Sequence, residues 1–175
     1  MNITPTQLAG VVILEPTVFG DSRGWFMESY SHAKLQSAGH DYNWVQDNHS
    51  YSEQQGVLRG IHCQVGEHAQ AKLVRVTRGA VLDVAVCFKT KQWVAVELSA
   101  ENKKQLLIPR GYGHGFVTLT DRVEFLYKTD NYYNKEADRS VKWNDPTLGI
   151  DWGTAAPILS EKDTNAPLLV DAGVI

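Results

Sequence analysis

Ionisable side chains occur in this sequence inside segments that otherwise have the pattern of buried β-strands. His62 lies in the predicted strand Val57–Gln64, where alternation places it on the same face as Leu58. Lys72 begins the predicted strand Lys72–Thr77 and falls on its apolar face. Burying an imidazole or an ammonium group without a partner costs free energy. The two positions therefore predict a catalytic or binding cavity rather than a plain core.

Three further groups are expected at the same cavity. Tyr127 shares a strand face with Phe125, so its phenol is expected to point inward. His114 stands among apolar residues, and Asp83 is an interior carboxylate on a neighbouring predicted strand. A histidine that titrates near neutral pH, a lysine that stabilises negative charge and a tyrosine that donates a proton suit one kind of chemistry. They indicate acid–base catalysis on an anionic, carbonyl-bearing ligand.

A metal site is an alternative for the histidines. The spacing Pro109-x-Gly111-x-x-His114 resembles the second metal-binding motif of cupin barrels, whose first motif supplies two histidines and a glutamate. Here the corresponding segment is His62-Cys63-Gln64, with glutamine in place of the second histidine. Because two firm ligands are too few for a stable first-row metal site, no bound metal is predicted. The other histidines are interpreted as ordinary core or surface residues: His32, His40, His49 and His68.

Length and composition are those expected of one globular domain spanning residues 1–175. The apolar fraction is 43%, the charged fraction is 21%, and the net charge of −3 includes no basic block to attract nucleic acid. Neither a signal peptide nor an apolar stretch of about eighteen residues occurs, so no membrane association is predicted. Cys63 and Cys87 lack metal-ligand spacing and are interpreted as reduced thiols of a cytoplasmic protein.

Period-two alternation dominates the chain and predicts an all-β fold, with short strands in an antiparallel jelly roll. Ser31–Ala38 is predicted to be a short helix, and Phe19–Gly24 a turn. The tail Tyr133–Ile175 is expected to be loop-rich with a helical turn or two. The predicted strands are Val11–Leu14, Trp25–Tyr30, Trp44–Ser50, Val57–Gln64, Lys72–Thr77, Ala80–Phe88, Trp93–Leu98, Gln105–Ile108, Gly115–Thr118 and Val123–Lys128.

Ordered blocks along nearly the whole chain resemble one known family. They include Phe19-Gly20-Asp21-x-Arg23-Gly24, Gln46-Asp47-Asn48-His49-Ser50, Leu58-Arg59-Gly60-Ile61-His62, Gln70-x-Lys72-Leu73-Val74-Arg75, Phe125-Leu126-Tyr127-Lys128, Trp143-Asn144-Asp145-Pro146 and Leu159-Ser160-x-Lys162-Asp163. These blocks identify the chain as similar to the dTDP-4-dehydrorhamnose 3,5-epimerase family, the nucleotide-sugar epimerases of the cupin superfamily. The resemblance implies a cupin-type antiparallel jelly-roll barrel with a few short helices.

The resemblance also implies roles for single residues. Similar enzymes invert carbons beside the ketone of a nucleotide-linked 4-keto-6-deoxyhexose without metal or cofactor. By this similarity His62 abstracts the proton next to the carbonyl and Asp163 orients its imidazole. Lys72 would stabilise the enolate oxygen, and Tyr127 would return a proton on the opposite face. Asp83 is a second candidate for the carboxylate beside His62.

Binding residues follow from the same matching, for a nucleotide-diphosphate sugar as substrate. Arginine and lysine side chains would contact the diphosphate or the sugar, polar side chains would recognise the nucleotide, and an aromatic side chain would stack on the base. Members of the family are dimers in which strands pass between subunits, so a homodimer is expected. The residues assigned to binding are Arg23, Glu28, Gln46, Asn48, Arg59, His114, Tyr132, Asp138 and Lys162.

Three departures from the family pattern bear on substrate choice. Cys63 replaces an aromatic residue, Asp138 stands where glutamate is common, and the segment between Val86 and Trp93 is several residues shorter. The shorter segment predicts a ligand cleft that is more open on that side. The alternatives are a 3-epimerase or 5-epimerase acting on another nucleotide sugar, such as a CDP-linked one, and a catalytically silent sugar-binding cupin.

Overall fold

The computed structural model describes residues 1–174, and within that range the chain forms thirteen β-strands and two short α-helices. The strands are β1 Asn2–Pro5, β2 Val12–Glu15, β3 Val18–Asp21, β4 Gly24–Met27, β5 Gln46–Ser52, β6 Leu58–Gln64, β7 Lys72–Arg78, β8 Ala80–Cys87, β9 Gln92–Ser99, β10 Gln105–Ile108, β11 Gly113–Thr118, β12 Val123–Thr129 and β13 Asp138–Ser140. The helices are α1 His32–Ser37 and α2 Glu161–Thr164, and short 3₁₀ turns occur at Gly66–His68 and Leu169–Asp171.

Two antiparallel sheets account for most of the strands. One sheet has six strands in the order β1-β2-β10-β7-β12-β5, and the other has five in the order β13-β6-β11-β8-β9. Strands β3 and β4 pair only with each other, as a separate hairpin. The predicted antiparallel, mostly β architecture is confirmed, with strands that are neighbours in a sheet coming from distant parts of the chain.

Alternation along each strand divides its side chains between two layers. In β7, Val74 and Val76 face the core between the sheets, whereas Leu73 packs behind the six-stranded sheet with Leu35 of α1. Helix α1 therefore covers part of the outer face of this sheet. The outer face of the five-stranded sheet is covered by the C-terminal tail, whose Trp152 is buried there.

The hairpin β3–β4 corrects one prediction. Phe19–Gly24 was expected to be a turn, but β3 extends to Asp21, pairs with Gly24 and leaves only two residues in the turn. The strands β1 and β13 were not predicted, because each is three or four residues long and shows no alternating apolar pattern. These two segments are strands because they pair with neighbouring strands, and not because of their own sequence pattern. The helical turns expected in the tail are confirmed by α2, although Ile175 lies outside the described residues.

A β-bulge in β6 decides which of its side chains face the core. His62 stands opposite His114, but Arg59, three residues earlier, stands opposite Phe116, two residues later. The extra residue in β6 restarts the alternation, so Arg59 and His62 share the inner face. The prediction that Leu58 shares that face is wrong: its apolar packing is behind the sheet with the tail, although Leu58 also contributes to the lining of the cavity described below.

Gly60 makes the bulge possible. Its φ is 136°, a backbone conformation that residues other than glycine rarely adopt. A Cβ added there would lie 2.5 Å from Gly115 Cα on the neighbouring strand. The sequence Arg59-Gly60-Ile61-His62 therefore reflects a strict requirement for glycine between the two inward-facing polar residues.

No helix in residues 1–174 is long and apolar enough to cross a membrane.

Candidate active site

A cavity of about 530 Å³ opens between the two sheets. It is called the catalytic cavity below. Strands β6, β7, β11 and β12 supply its walls, and the segment leading into α2 closes one side. Its lining consists of Ser50, Val57, Leu58, Arg59, His62, Lys72, His114, Phe116, Phe125, Tyr127, Ile158, Leu159, Ser160, Lys162 and Asp163. Seven residues that the sequence analysis assigned to catalysis or substrate binding line this one cavity, although they are spread along more than a hundred positions: Arg59, His62, Lys72, His114, Tyr127, Lys162 and Asp163.

His62 is oriented by a carboxylate from the tail. Its Nε2 lies 2.5 Å from Oδ1 of Asp163, which is buried. Although burial raises the pKa of Asp163, hydrogen bonds from His62 and Ser160 hold it below its usual range, so the carboxylate stays ionised at neutral pH. With Nε2 engaged in this contact, Nδ1 is the nitrogen left to accept a proton.

Ser160 is a member of the site that sequence reasoning missed. It is the N-cap of α2, and its Oγ accepts a hydrogen bond from the Asp163 N–H at 3.1 Å. The same Oγ donates to Oδ2 of Asp163 at 2.9 Å. The spacing Ser-x-x-Asp before a short helix was the available signal, since a serine three residues before an acidic residue is a capping pattern. Ser160 thus fixes the carboxylate that in turn fixes His62.

Lys72 points into the cavity from the first position of β7. Burial lowers the pKa of its ammonium group. Nζ lies 5.9 Å from the centre of the Tyr127 ring and forms no ion pair with any side chain in residues 1–174. A desolvated cation without a fixed counter-ion is well suited to stabilise negative charge that develops on a ligand.

Tyr127 faces Lys72 from the adjacent strand, since β12 pairs with β7. Burial raises the pKa of its phenol, which therefore carries its proton at neutral pH. The predicted inward orientation of Tyr127 is confirmed by its place in the cavity lining beside Phe125. The group can donate a proton to a carbon that has been deprotonated from another side.

The second carboxylate, Asp83, pairs with His114 and not with His62. Oδ2 of Asp83 lies 2.9 Å from Nε2 of His114, and both side chains are buried. Burial lowers the pKa of His114 despite the adjacent carboxylate, so this imidazole is neutral at neutral pH. His114 stacks on Phe125 at 6.0 Å between ring centres, which fixes it in the cavity wall.

The residues assigned to substrate binding lie partly at this cavity. Arg59 Nη2 donates to the carbonyl oxygen of Tyr51 at 3.1 Å. Lys162 lines the cavity and forms an ion pair with Asp138, with Nζ 2.5 Å from Oδ2. At this distance Asp138 holds the ammonium of Lys162 and competes with any anionic ligand for it.

Three further binding candidates lie beside the cavity rather than in its lining. Gln46 Nε2 donates to Asn48 Oδ1 at 2.8 Å, and both side chains project from the edge strand β5. Tyr132 follows β12 and is 65% exposed. An exposed ring in this position can stack on a planar base. Asn48 stands directly opposite Tyr127 in the ladder, so these polar groups extend the site along one edge of the sheet.

Arg23 and Glu28 are not brought to the cavity. Arg23 lies in the turn of the β3–β4 hairpin, where its Nη2 pairs with Asp21 at 2.5 Å. Glu28 follows the hairpin and pairs with Lys34 at 2.7 Å. Both side chains are exposed and lie outside the lining of the catalytic cavity. Sequence matching grouped them with the site, but within a single chain the fold keeps them apart.

The shortened segment between Val86 and Trp93 forms a tight turn between β8 and β9. None of residues 87–93 is in the lining of the catalytic cavity, so within one chain the shortened segment does not border the cavity. The reason is the strand order, because β9 is the far edge of its sheet. The more open cleft expected in a dimer stays a prediction. Within residues 1–174, no three His, Cys, Asp or Glu side chains are grouped so as to hold a metal ion.

Fold and site together define a class: a cupin-like antiparallel β-sandwich enzyme with a histidine–aspartate pair, a buried cation and a phenol in one cavity. The family model described as dTDP-4-dehydrorhamnose 3,5-epimerase matches residues 5–171. The dTDP-4-dehydrorhamnose 3,5-epimerase of Salmonella typhimurium is 51% identical over 179 residues, which cover 98% of this chain and 97% of the relative. The chain belongs to the dTDP-4-dehydrorhamnose 3,5-epimerase family.

Solved structures agree with this membership. The dTDP-4-dehydrorhamnose 3,5-epimerase of Elizabethkingia anophelis has a TM-score of 0.92 and 49% identity, covering 98% of this chain and 97% of that one. A dTDP-6-deoxy-D-glucose 3,5-epimerase of Legionella pneumophila, in complex with dTDP-4-keto-L-rhamnose, has a TM-score of 0.92 and 44% identity. In that comparison 97% of this chain and 93% of the other are covered. The predicted family is confirmed, and with it the class of enzyme, an isomerase.

Proposed function

We propose that this enzyme inverts both C3 and C5 of a dTDP-linked 4-keto-6-deoxyhexose and yields dTDP-4-dehydrorhamnose. The observation that carries the proposal is the convergence of the His62–Asp163 pair, Lys72 and Tyr127 on one cavity. The names of the similar proteins supply the substrate class. The relatives of about 50% identity are named 3,5-epimerases, which favours inversion of both carbons over inversion of one. The comparisons give no support to a CDP-linked substrate or to a silent sugar-binding protein.

The reaction begins with removal of a proton from a carbon beside the ketone. Nδ1 of His62 accepts the proton as the C–H bond breaks, and Asp163 stabilises the imidazolium that forms. The bonding electrons move into an enolate whose oxygen becomes negative. Lys72 stabilises that oxygen with its ammonium group, which burial has already desolvated. Such electrostatic stabilisation is usually the largest contribution to catalysis of this kind.

Inversion requires a new proton on the opposite face of the carbon. Tyr127 lies on β12, across the cavity from the strand that carries His62, because the two strands belong to different sheets. Its raised pKa keeps the proton available until the enolate carbon takes it. After the first inversion His62 releases its proton to solvent and Tyr127 takes one up from solvent, which resets the pair. A second cycle at the other carbon beside the ketone then completes the change. Neither a metal nor a redox cofactor enters this scheme, since the proton and the electron pair are both accounted for by these side chains.

Tyr127→Phe is expected to separate exchange from inversion. Without the phenol, the enolate still forms and can take back a solvent-derived proton from the His62 side. We therefore expect inversion to fall about 10²-fold or more while deuterium exchange falls far less. NMR of the substrate in D₂O measures both rates in one sample. Inversion at the wild-type rate in the variant would assign the acid role to another group, of which Tyr132 is the nearest along the chain.

A direct assay separates the substrate hypotheses. The enzyme is supplied with dTDP-linked and CDP-linked 4-keto-6-deoxyglucose in parallel, and kcat/KM is measured for each. The proposal expects at least a tenfold preference for the dTDP-linked sugar, which corresponds to about 1.4 kcal/mol of differential binding in the transition state. Equal kcat/KM values would show that the enzyme does not select the nucleotide. A higher kcat/KM for the CDP-linked sugar would show that the substrate is CDP-linked and not dTDP-linked.

We further propose that the enzyme works as a homodimer in which each hairpin β3–β4 enters the partner's site. The hairpin exposes large apolar side chains, with Trp25 59% and Phe26 70% exposed. An isolated two-stranded hairpin is marginally stable and exposed apolar patches usually mark a contact surface. An exchange of hairpins would bury these side chains. It would also bring Arg23 to the substrate diphosphate in the partner's cavity, whereas within its own chain Arg23 lies outside the cavity.

Complementation tests the exchange of hairpins. Arg23→Ala and His62→Asn are each expected to be nearly inactive alone. In a mixed dimer, one site combines an intact His62 with an intact Arg23 from the other chain, whereas the second site carries both defects. Co-refolding equal amounts should therefore restore about a quarter of wild-type activity. A mixture no more active than the sum of its parts would show that each site is built from one chain.

The product is proposed to supply deoxysugar for surface polysaccharide. The cytoplasm is the proposed location of the reaction, because the free thiols Cys63 and Cys87 suit a reducing compartment.

A further inference from the structure

An ion pair with a buried carboxylate lies where strands β7 and β12 meet. Asp130 directly follows β12, and its side chain is 2% exposed. Oδ2 accepts a hydrogen bond of 2.7 Å from Nε of Arg110, and Oδ1 accepts one of 2.6 Å from the backbone N–H of Ala71. Both carboxylate oxygens are thus engaged. Loss of either partner leaves a buried charge incompletely satisfied.

The carboxylate ties together the ends of two strands that carry reacting groups. Ala71 immediately precedes Lys72, and its carbonyl oxygen accepts a hydrogen bond of 3.4 Å from the Asp130 N–H. Thr129 stands opposite Lys72 in the ladder between the two strands. Tyr127 lies three residues before Asp130 on the same strand. One side chain therefore sets the relative position of the backbone segments that present Lys72 and Tyr127.

Lys72 depends on its backbone for its position. Its ammonium forms no hydrogen bond or ion pair with any group in residues 1–174, so the start of β7 determines where Nζ lies in the cavity. The stabilisation that Lys72 gives an enolate requires Nζ to lie within hydrogen-bond distance of the oxygen. A displacement of about 1 Å at such a group can cost about 10²-fold in rate.

We propose that Arg110 and Asp130 are positioning residues that hold Lys72 in place relative to Tyr127 for enolate stabilisation. This inference rests on the proposed function. Arg110 comes from the loop between β10 and β11, and its side chain is 54% exposed and absent from the cavity lining. Neither member of the pair touches the substrate in this scheme. Their effect is therefore expected in kcat and not in substrate affinity.

The test compares four variants with the wild-type enzyme on dTDP-4-keto-6-deoxyglucose. Asp130→Asn keeps the shape and the acceptor for the Ala71 N–H but removes the charge that holds Arg110. Arg110→Gln removes the other half of the pair at a half-exposed position where folding should survive, and Arg110→Lys restores a cation. Asp47→Asn is the matched control, because it breaks an exposed ion pair with Lys128 on the same strand β12.

We expect Asp130→Asn to lower kcat about 10- to 100-fold and Arg110→Gln about tenfold, with KM changed less than about twofold. Arg110→Lys should recover most of the kcat that Arg110→Gln loses, and Asp47→Asn should match the wild type. Exchange of both substrate protons should slow in parallel with kcat, because enolate formation is the step affected.

Two results would overturn the inference while leaving the proposed function intact. One is wild-type kcat in Asp130→Asn and Arg110→Gln together with a lowered melting temperature, which would make the pair a structural contact only. The other is a raised KM at unchanged kcat, which would make it a determinant of binding. A wild-type enzyme that fails to turn over the substrate would overturn the proposed function itself, and the positioning role with it.

Discussion

His62→Asn is expected to abolish exchange of the substrate protons beside the ketone. Asparagine keeps the approximate size of the side chain but cannot accept a proton at neutral pH, so no enolate forms. Positioned general bases contribute about 10²–10⁴-fold, and here exchange and inversion both pass through the same deprotonation. Deuterium incorporation at C3 and at C5 should therefore fall together by about 10³-fold or more, as measured by NMR in D₂O.

His49→Asn is the matched control for this variant. His49 lies on β5, faces away from the catalytic cavity and has its Nε2 3.5 Å from Glu124. The control should exchange protons at the wild-type rate. The exchange rate of Asp163→Asn should lie between those of His62→Asn and His49→Asn, because this variant keeps the base but lacks the carboxylate that orients it. Exchange at either carbon within tenfold of the wild-type rate in His62→Asn would show that another group is the base.

Lys72→Met is expected to have opposite effects on activity and on stability. Methionine fills a similar volume but carries no charge, so the enolate loses its counter-charge and kcat should fall about 10²–10³-fold. The free energy of unfolding should rise by about 1 kcal/mol, because a desolvated ammonium without an ion-pair partner in residues 1–174 disfavours the folded state. Steady-state kinetics and urea denaturation measure the two quantities.

The pH dependence of stability gives an independent check on Lys72. Burial lowers its pKa in the folded protein below the ordinary value of 10.5. Between the two pKa values the unfolded chain binds more protons than the folded one, so stability gains from this group as pH rises. Activity that needs the ammonium is lost over the same range. Lys72→Met should lack the stability gain, and a variant with wild-type kcat or with lower stability at neutral pH would contradict this account of Lys72.

The sequence predicts the β-class and the inward side chains well, because both depend on local alternation. Lys72 and Tyr127 stand on regular parts of their strands, and their orientation follows from the period of two. The face of Leu58 is mispredicted for a physical reason. A single extra residue at Gly60 restarts the alternation within β6, and such a bulge depends on the partner strand that carries Gly115.

Contacts between distant parts of the chain are where sequence patterns alone fail. His62 and Asp163 are 101 positions apart and come together only because the tail packs behind the five-stranded sheet. The sequence offered Asp83 as a second candidate for the carboxylate beside His62, and only the folded structure shows that it contacts His114 instead. The position of Arg23 could not be derived from the pattern of one chain either, because the hairpin β3–β4 makes no ladder with the rest of its own fold.

The central claim is that one cavity deprotonates and inverts both carbons beside the ketone of a dTDP-linked sugar. Incubation of the enzyme with dTDP-4-keto-6-deoxyglucose in D₂O, followed by proton NMR, tests it most directly. The account predicts deuterium at both C3 and C5 together with the signals of dTDP-4-dehydrorhamnose. If deuterium enters neither carbon, or if it is still confined to one carbon after prolonged incubation, the account is contradicted.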